Sequence, residues 1–113
     1  MQPSGVITLT TDFGARDSYV AQIKGIILRI NPEATIVDIS HEIAPQGITQ
    51  AAFSLMTACH AFPRGTVHLA VVDPGVGGQR KALLVQTAEG FFVGPDNGVL
   101  SWALREKEIL RTI

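Results

Sequence analysis

The chain has 113 residues, with 9 Lys plus Arg against 10 Asp plus Glu and a formal net charge of −1. That balance offers no basic surface for nucleic acid or an anionic membrane. Hydrophobic residues make up 46% and charged residues 17%, enough for one domain with a core and too apolar for a disordered segment of note. The single cysteine, Cys59, excludes an internal disulfide, and no Cys/His spacing points to zinc. The start Met-Gln-Pro-Ser-Gly lacks the basic region of a signal peptide, and no apolar stretch is long enough to cross a bilayer. The expectation is a soluble, cytoplasmic α/β domain.

Val6-Ile-Thr-Leu-Thr-Thr-Asp12 alternates apolar and hydroxyl residues in the manner of a strand that ends on an aspartate. A loop, Phe13 to Arg16, leads to Asp17 or Ser18 as candidate helix cap. Val20, Ile23, Ile26, Ile27 and Ile30 then recur at helical spacing and predict one apolar face. Gly25 inside that helix suggests close packing, since it costs about 1 kcal/mol relative to Ala. Asn31-Pro32 stops the helix, and Thr35 to Ser40 reads as a second strand. After a loop at 41–45, residues 47–61 form a second helix with Ile48, Ala51, Ala52, Leu55 and Cys59 on one side.

Val67-His-Leu-Ala-Val-Val72 is apolar apart from His68, is followed by Asp73, and runs into the glycine-rich loop Pro-Gly-Val-Gly-Gly before Arg80. An apolar run bounded by glycines predicts a buried strand of a parallel sheet. The order β-α-β-α-β implies right-handed crossovers with helices covering the sheet. Beyond Arg80 the pattern changes. Residues 82–87 and 90–93 predict a hairpin turning at Ala88-Glu89, 94–98 a turn, 99–105 a short helix and 108–113 a final strand. The chain stops inside that last apolar segment, as a fragment or an unusually short gene product would.

Asp12 and Asp73 end two strands that read as parallel, so both reach the sheet edge where open α/β folds bind ligands. Two carboxylates there suit a ribose diol, a cation or a metal; each is also a plausible loop cap. Asp17 reads more simply as an N-cap, and Asp38, inside a strand, as a buried structural partner. No glycine pattern matches a phosphate cradle. His41, His60 and His68 have no ligand spacing and read as ordinary surface or core, and Cys59 as a small buried hydrophobe. Asp96-Asn97-Gly98 is either a tight turn or a turn that lends side chains to the same crevice.

Thr10-Thr-Asp-Phe-Gly14, Asp17 to Gly25, Val37-Asp-Ile-Ser-His-Glu-Ile43, Phe62 to Gly77 and Val93-Gly-Pro-Asp-Asn-Gly-Val-Leu-Ser101 stand in order over nearly the whole chain. Together they resemble the S-adenosyl-L-methionine hydroxide adenosyltransferases, long known as a domain of unknown function and related to the fluorinase and chlorinase. The resemblance implies a three-layer α/β domain, a mostly parallel sheet flanked by helices plus a β-hairpin. In the family this N-terminal domain precedes a C-terminal β-barrel, which residues 1–113 do not include.

The resemblance also implies the reaction: hydroxide attacks the 5′ carbon of S-adenosyl-L-methionine and releases adenosine and L-methionine, with no cofactor and no metal. Water, with a pKa of about 15.7, is the difficult reactant. Arg80 would stabilise nascent hydroxide while Asp73 orients the water or takes its proton. A histidine in a later His-Gly-Arg-Asp-like motif completes this pair in the family; no histidine follows His68 here. Asp12 matches the aspartate that binds both ribose hydroxyls and Asp17 the one that meets the methionine ammonium. Phe13 and Asn97 fall in substrate-binding motifs. Halogenase relatives typically carry tyrosine where Asp73 stands, which favours hydroxide over halide. The implied assembly is a homotrimer in which a neighbour's C-terminal domain holds the adenine. Alternatives are a non-catalytic module binding adenosine or S-adenosyl-L-methionine, a halogenase relative, and a two-carboxylate metal phosphohydrolase that lacks further ligands.

Overall fold

Six strands form one mixed sheet in the order β2-β1-β3-β5-β4-β6, seen in a computed structural model that describes residues 2–45, 47–72, 81–105 and 107–113. The strands are β1 (Val6–Thr11), β2 (Thr35–Ser40), β3 (Thr66–Val71), β4 (Ala82–Thr87), β5 (Gly90–Pro95) and β6 (Ile109–Thr112). The helices are α1 (Tyr19–Ile30), α2 (Ile48–Cys59) and α3 (Ser101–Leu104). β1 pairs in parallel with β2 and β3, and β3 in parallel with β5. β4 pairs antiparallel with both β5 and β6. The sheet is therefore parallel at its centre and antiparallel on one flank, the mostly parallel α/β arrangement that the element order implies.

Because β2 and β3 lie on opposite sides of β1, right-handed crossovers send α1 and α2 to opposite faces. The α2 face holds the core: Ala51, Leu55 and Cys59 from α2 meet Ala70, Val85 and Phe92 from the sheet, Ala103 of α3 and Leu100 at its start. Full burial of side chains such as Leu55 and Phe92 contributes about 1.5–3 kcal/mol each. The apolar side of α2 is as its spacing predicts, with Ile48 partly buried and the rest buried.

α1 departs from expectation. It contains no buried residue, and Ile26 and Ile30 point outward while Val20, Ile23 and Ile27 are half-buried. Gly25 is exposed and a Cβ there would meet nothing within 4 Å, so close packing does not explain it. α1 crosses at the β1–β2 end of the sheet, and a helix there has less sheet beneath it than its sequence could cover.

β3 sits between β1 and β5, with side chains alternating between buried and half-buried. Its histidine is accommodated pairwise: His68 Nδ1 lies 2.8 Å from Thr8 Oγ1 on the neighbouring strand. The β4–β5 hairpin turns where predicted. Thr87 Oγ1 accepts the amide hydrogens of Glu89 and Gly90 and donates to the Gly90 carbonyl, locking the turn through one hydroxyl. β5 continues through Gly94 and Pro95, two residues farther than the turn signal suggests. Proline is tolerated because the β3 register ends at Leu69↔Val93, so no ladder donor is missing there. α3 is shorter than predicted, starting at Ser101 after a turn at Val99-Leu100.

Candidate active site

Four parallel strands deliver their carboxyl ends to one edge. Thr11 of β1 is in register with Val71 of β3, and Thr10 with Ser40 of β2. Asp12 therefore leaves the sheet beside Val72, with His41 on its other side and the turn after β5 beyond Val72. The sheet edge expected for Asp12 and Asp73 is thus common to β1 and β3. Asp73 and Arg80 themselves lie outside the described residues.

Asp12 is half-buried. Behind it Gly14 takes a positive φ of 71°, which glycine adopts without strain, and its amide donates to the His41 carbonyl at 2.7 Å. Phe13 is half-buried and its ring lies 5.9 Å from that of Tyr19. Asp17 is exposed and makes no hydrogen bond with the described residues; the N-cap of α1 is Ser18, which has no side-chain capping bond. The capping role that Asp17 could have filled is therefore not its own, and its carboxylate faces solvent on the loop that carries Asp12.

Asn97 is committed on two sides. Its Nδ2 donates to the Val72 carbonyl at 2.8 Å, and its Oδ1 accepts the Val99 amide hydrogen at 3.1 Å. The Asp96 amide donates to the Lys81 carbonyl at 2.8 Å. Two consecutive residues thus tie down the positions on either side of the 73–80 segment. Gly98 lets this turn close with a φ of 92°.

Asp38 was expected to be buried, and it is not: its side chain is 40% exposed. Leu9↔Asp38 is the edge-side pairing of β2, an outer strand, and the carboxylate reaches past it toward α1. There it accepts Lys24 Nζ at 2.8 Å and lies 2.8 Å from His41 Nε2. The second contact is an ionic approach that falls short of an aligned hydrogen bond. Partial burial would raise the Asp38 pKa, but Lys24 and His41 outweigh it and hold the carboxyl below its ordinary value. His41 Nδ1 in turn lies 2.7 Å from Thr11 Oγ1, which also accepts the Phe13 amide at 3.3 Å. Reading the residues singly misses His41. The available signal is the Asp38-x-x-His41 spacing at a strand end facing Lys24 across the crossover.

The same edge holds a buried hydroxyl, Thr10 Oγ1, without a partner among the described residues. Among those residues no group of three or more His, Cys, Asp or Glu could hold a metal. A cavity of about 290 Å³ lies at the opposite edge, beside Cys59, Phe62, His68 and Phe92 with Glu89 on its rim, and is not lined by Asp12, Asp17 or Asp38. Burial keeps His68 neutral, its pKa lowered to about 4 first by desolvation and then by Lys107. Burial likewise pushes the Cys59 thiol up.

Residues 7–113 match the family described as SAM hydroxide adenosyltransferase N-terminal domain. The chain belongs to this family. It is 47% identical over 113 residues to the (R)-S-adenosyl-L-methionine hydrolase of Methanocaldococcus jannaschii, an alignment spanning 96% of the chain and 43% of that relative. A fluorinase from Nocardia brasiliensis is more distant, 27% identical across 89% of the chain and 41% of its own length. Among solved structures, an uncharacterized conserved protein from Thermotoga maritima superposes with a TM-score of 0.90 at 43% identity, covering 94% of the chain and 41% of that protein. The chain thus spans less than half the length of these relatives. No helix of the described residues is long and apolar enough to cross a membrane.

Proposed function

We propose that this domain forms the ribose-binding and water-activating part of an enzyme that hydrolyses S-adenosyl-L-methionine to adenosine and L-methionine. The observation that carries the reading is the emergence of Asp12 from β1 directly beside the carboxyl end of β3, in the Thr11↔Val71 register. A carboxylate so placed accepts both hydroxyls of a ribose at the edge where β3, two residues before Asp73 in sequence, ends. The 47% identity to a protein named as a hydrolase of this compound supports hydroxide over the halide of the more distant fluorinases.

In this mechanism the sulfonium leaves without help from a general acid, because its departure as a neutral thioether relieves a positive charge. Catalysis is needed at the nucleophile. Asp73 takes or orients the proton of the attacking water, and Arg80 lowers the energy of the developing hydroxide. Asp12 holds the ribose so that the 5′ carbon faces that water, and Phe13 walls the sugar. Asp17 pairs with the methionine ammonium, and Asn97 fixes the turn beside it. A homotrimer, a cytoplasmic location and a third catalytic group from a histidine outside residues 1–113 belong to the same reading. No cofactor is required.

Turnover in water enriched in ¹⁸O tests it. The expected result is adenosine carrying the label in its 5′ hydroxyl, together with unlabelled methionine, and severe loss of rate in Asp73→Asn and Arg80→Ala. Substrate that binds and is recovered intact would identify a non-catalytic module. A halide-dependent product with halogen at the 5′ carbon would identify a halogenase.

A further inference from the structure

The segment between β1 and α1 carries three of the residues assigned to substrate, Asp12, Phe13 and Asp17. Asp17, for its part, makes no hydrogen bond with the described residues. What fixes this segment comes from His41, the residue after β2. The Gly14 amide donates to the His41 carbonyl at 2.7 Å, and the Thr11 hydroxyl that receives the Phe13 amide is itself held 2.7 Å from His41 Nδ1. The other ring nitrogen faces an ionised Asp38 at 2.8 Å, and that carboxylate is anchored by Lys24 of α1 at 2.8 Å.

The proton arrangement follows from the partners. A carboxylate accepts only, so Nε2 carries a hydrogen. In the neutral ring Nδ1 is then an acceptor, and the Thr11 hydroxyl donates to it. The same oxygen keeps a lone pair for the Phe13 amide, which satisfies the buried hydroxyl in both directions. The imidazole side chain is 12% exposed, so it is held within the fold, with Nδ1 bonded to Thr11 and Nε2 close to the Asp38 carboxylate without an aligned hydrogen bond.

We propose that His41 is a positioning residue for the substrate loop. Its ring, oriented by the Asp38–Lys24 pair, sets the Thr11 hydroxyl that fixes the Phe13 amide, and so determines where Asp12 presents its carboxylate. Lys24 closes the circuit, because it stands on the helix into which that loop runs. The role rests on the proposed ribose contact of Asp12, and the test separates the two.

Amide exchange and adenosine binding are measured in the wild type, His41→Ala, His41→Asn and Asp38→Asn. In His41→Ala the Phe13 and Gly14 amides should exchange at least tenfold faster, with β3 and β5 amides unchanged, and the Kd for adenosine should rise about tenfold. His41→Asn, whose amide oxygen can still accept from Thr11, should recover part of both effects, and Asp38→Asn should lie between Ala and wild type. Unchanged exchange at Phe13 and Gly14 would overturn the proposal. Faster exchange with unaltered adenosine affinity would overturn it too, because the order of the loop would then serve no ligand. Loss of protection in β3 and β5 as well would mark His41 as a general structural residue and end the assignment. A wild type that binds no adenosine defeats the functional reading itself, and the exchange comparison still decides whether the ring orders the loop.

Discussion

The side-chain amide of Asn97 donates to the backbone carbonyl of Val72 at 2.8 Å, joining the turn after β5 to the last described residue before Asp73. Its carbonyl oxygen caps the buried Val99 amide at 3.1 Å. Replacing Asn97 by Ala therefore removes two hydrogen bonds, one from an amide shielded from water. The expected loss is about 1–3 kcal/mol. Asn97→Asp keeps the acceptor for Val99 but turns a carboxylate oxygen toward the Val72 carbonyl, so it should be no better than Ala at neutral pH. Urea denaturation of the three proteins checks this. Equal midpoints would show that the turn holds without its side chain and would leave Asn97 free to contact substrate.

His68 predicts an acid-sensitive fold. The ring is 4% exposed, and its pKa falls from 6.5 to about 4, chiefly through burial and secondarily through Lys107. The folded state thus binds this proton less readily than the unfolded chain. Its neutral form is fully tolerated above pH 6.5, and stability is lost as pH falls from 6.5 toward about 4. The interval corresponds to a loss on the order of 3 kcal/mol at most. Asp38 and Glu89, whose pKa values are lowered from 3.8 and 4.5, contribute their losses only below those values. Denaturation midpoints between pH 7 and pH 4.5 should fall in the wild type and flatten in His68→Gln. A flat wild-type profile would mean that the ring charges without unfolding.

Strand and helix identities are legible in this chain because local pattern and tertiary placement agree, most clearly in α2, where Ala51, Ala52, Leu55 and Cys59 bury the face that their spacing predicts. The parallel edge shared by β1 and β3 is likewise readable, because element order and crossover handedness leave few topologies. Asp38 and Gly25 are not. Whether a strand residue is buried depends on whether its strand is central or outer, and no periodicity within Thr35–Ser40 carries the position of β2 at the sheet's end. His41 is opaque for a related reason. Its partners Thr11, Asp38 and Lys24 lie on three elements, and only folding brings them together.

Gly25 offers a gain in stability. It lies in the interior of α1, is exposed and has no atom within 4 Å of a Cβ position. Its backbone is helical, so alanine adds no strain and restricts the unfolded chain. Gly25→Ala should stabilise by about 0.5–1 kcal/mol, read as a higher thermal midpoint. A lower midpoint would show that something packs against this point of α1 in the folded protein.

Asp12 is the most direct handle on the proposed chemistry. It is half-buried at the end of β1, and in the proposed complex its two oxygens accept the two ribose hydroxyls. Each charge-assisted bond is worth roughly 1.5–3 kcal/mol. Asp12→Ala should then weaken adenosine binding at least about a hundredfold. Asp12→Asn, which retains one acceptor but turns an amide donor toward the second hydroxyl, should lose about tenfold to a hundredfold. The decisive measurement is a cycle with 2′-deoxyadenosine. The wild type should bind the deoxy compound much more weakly than adenosine, whereas Asp12→Ala should barely distinguish them, because the partner of the missing hydroxyl is already gone. Full discrimination in Asp12→Ala would place the ribose contact on another residue and break the link between the β1–β3 edge and the substrate.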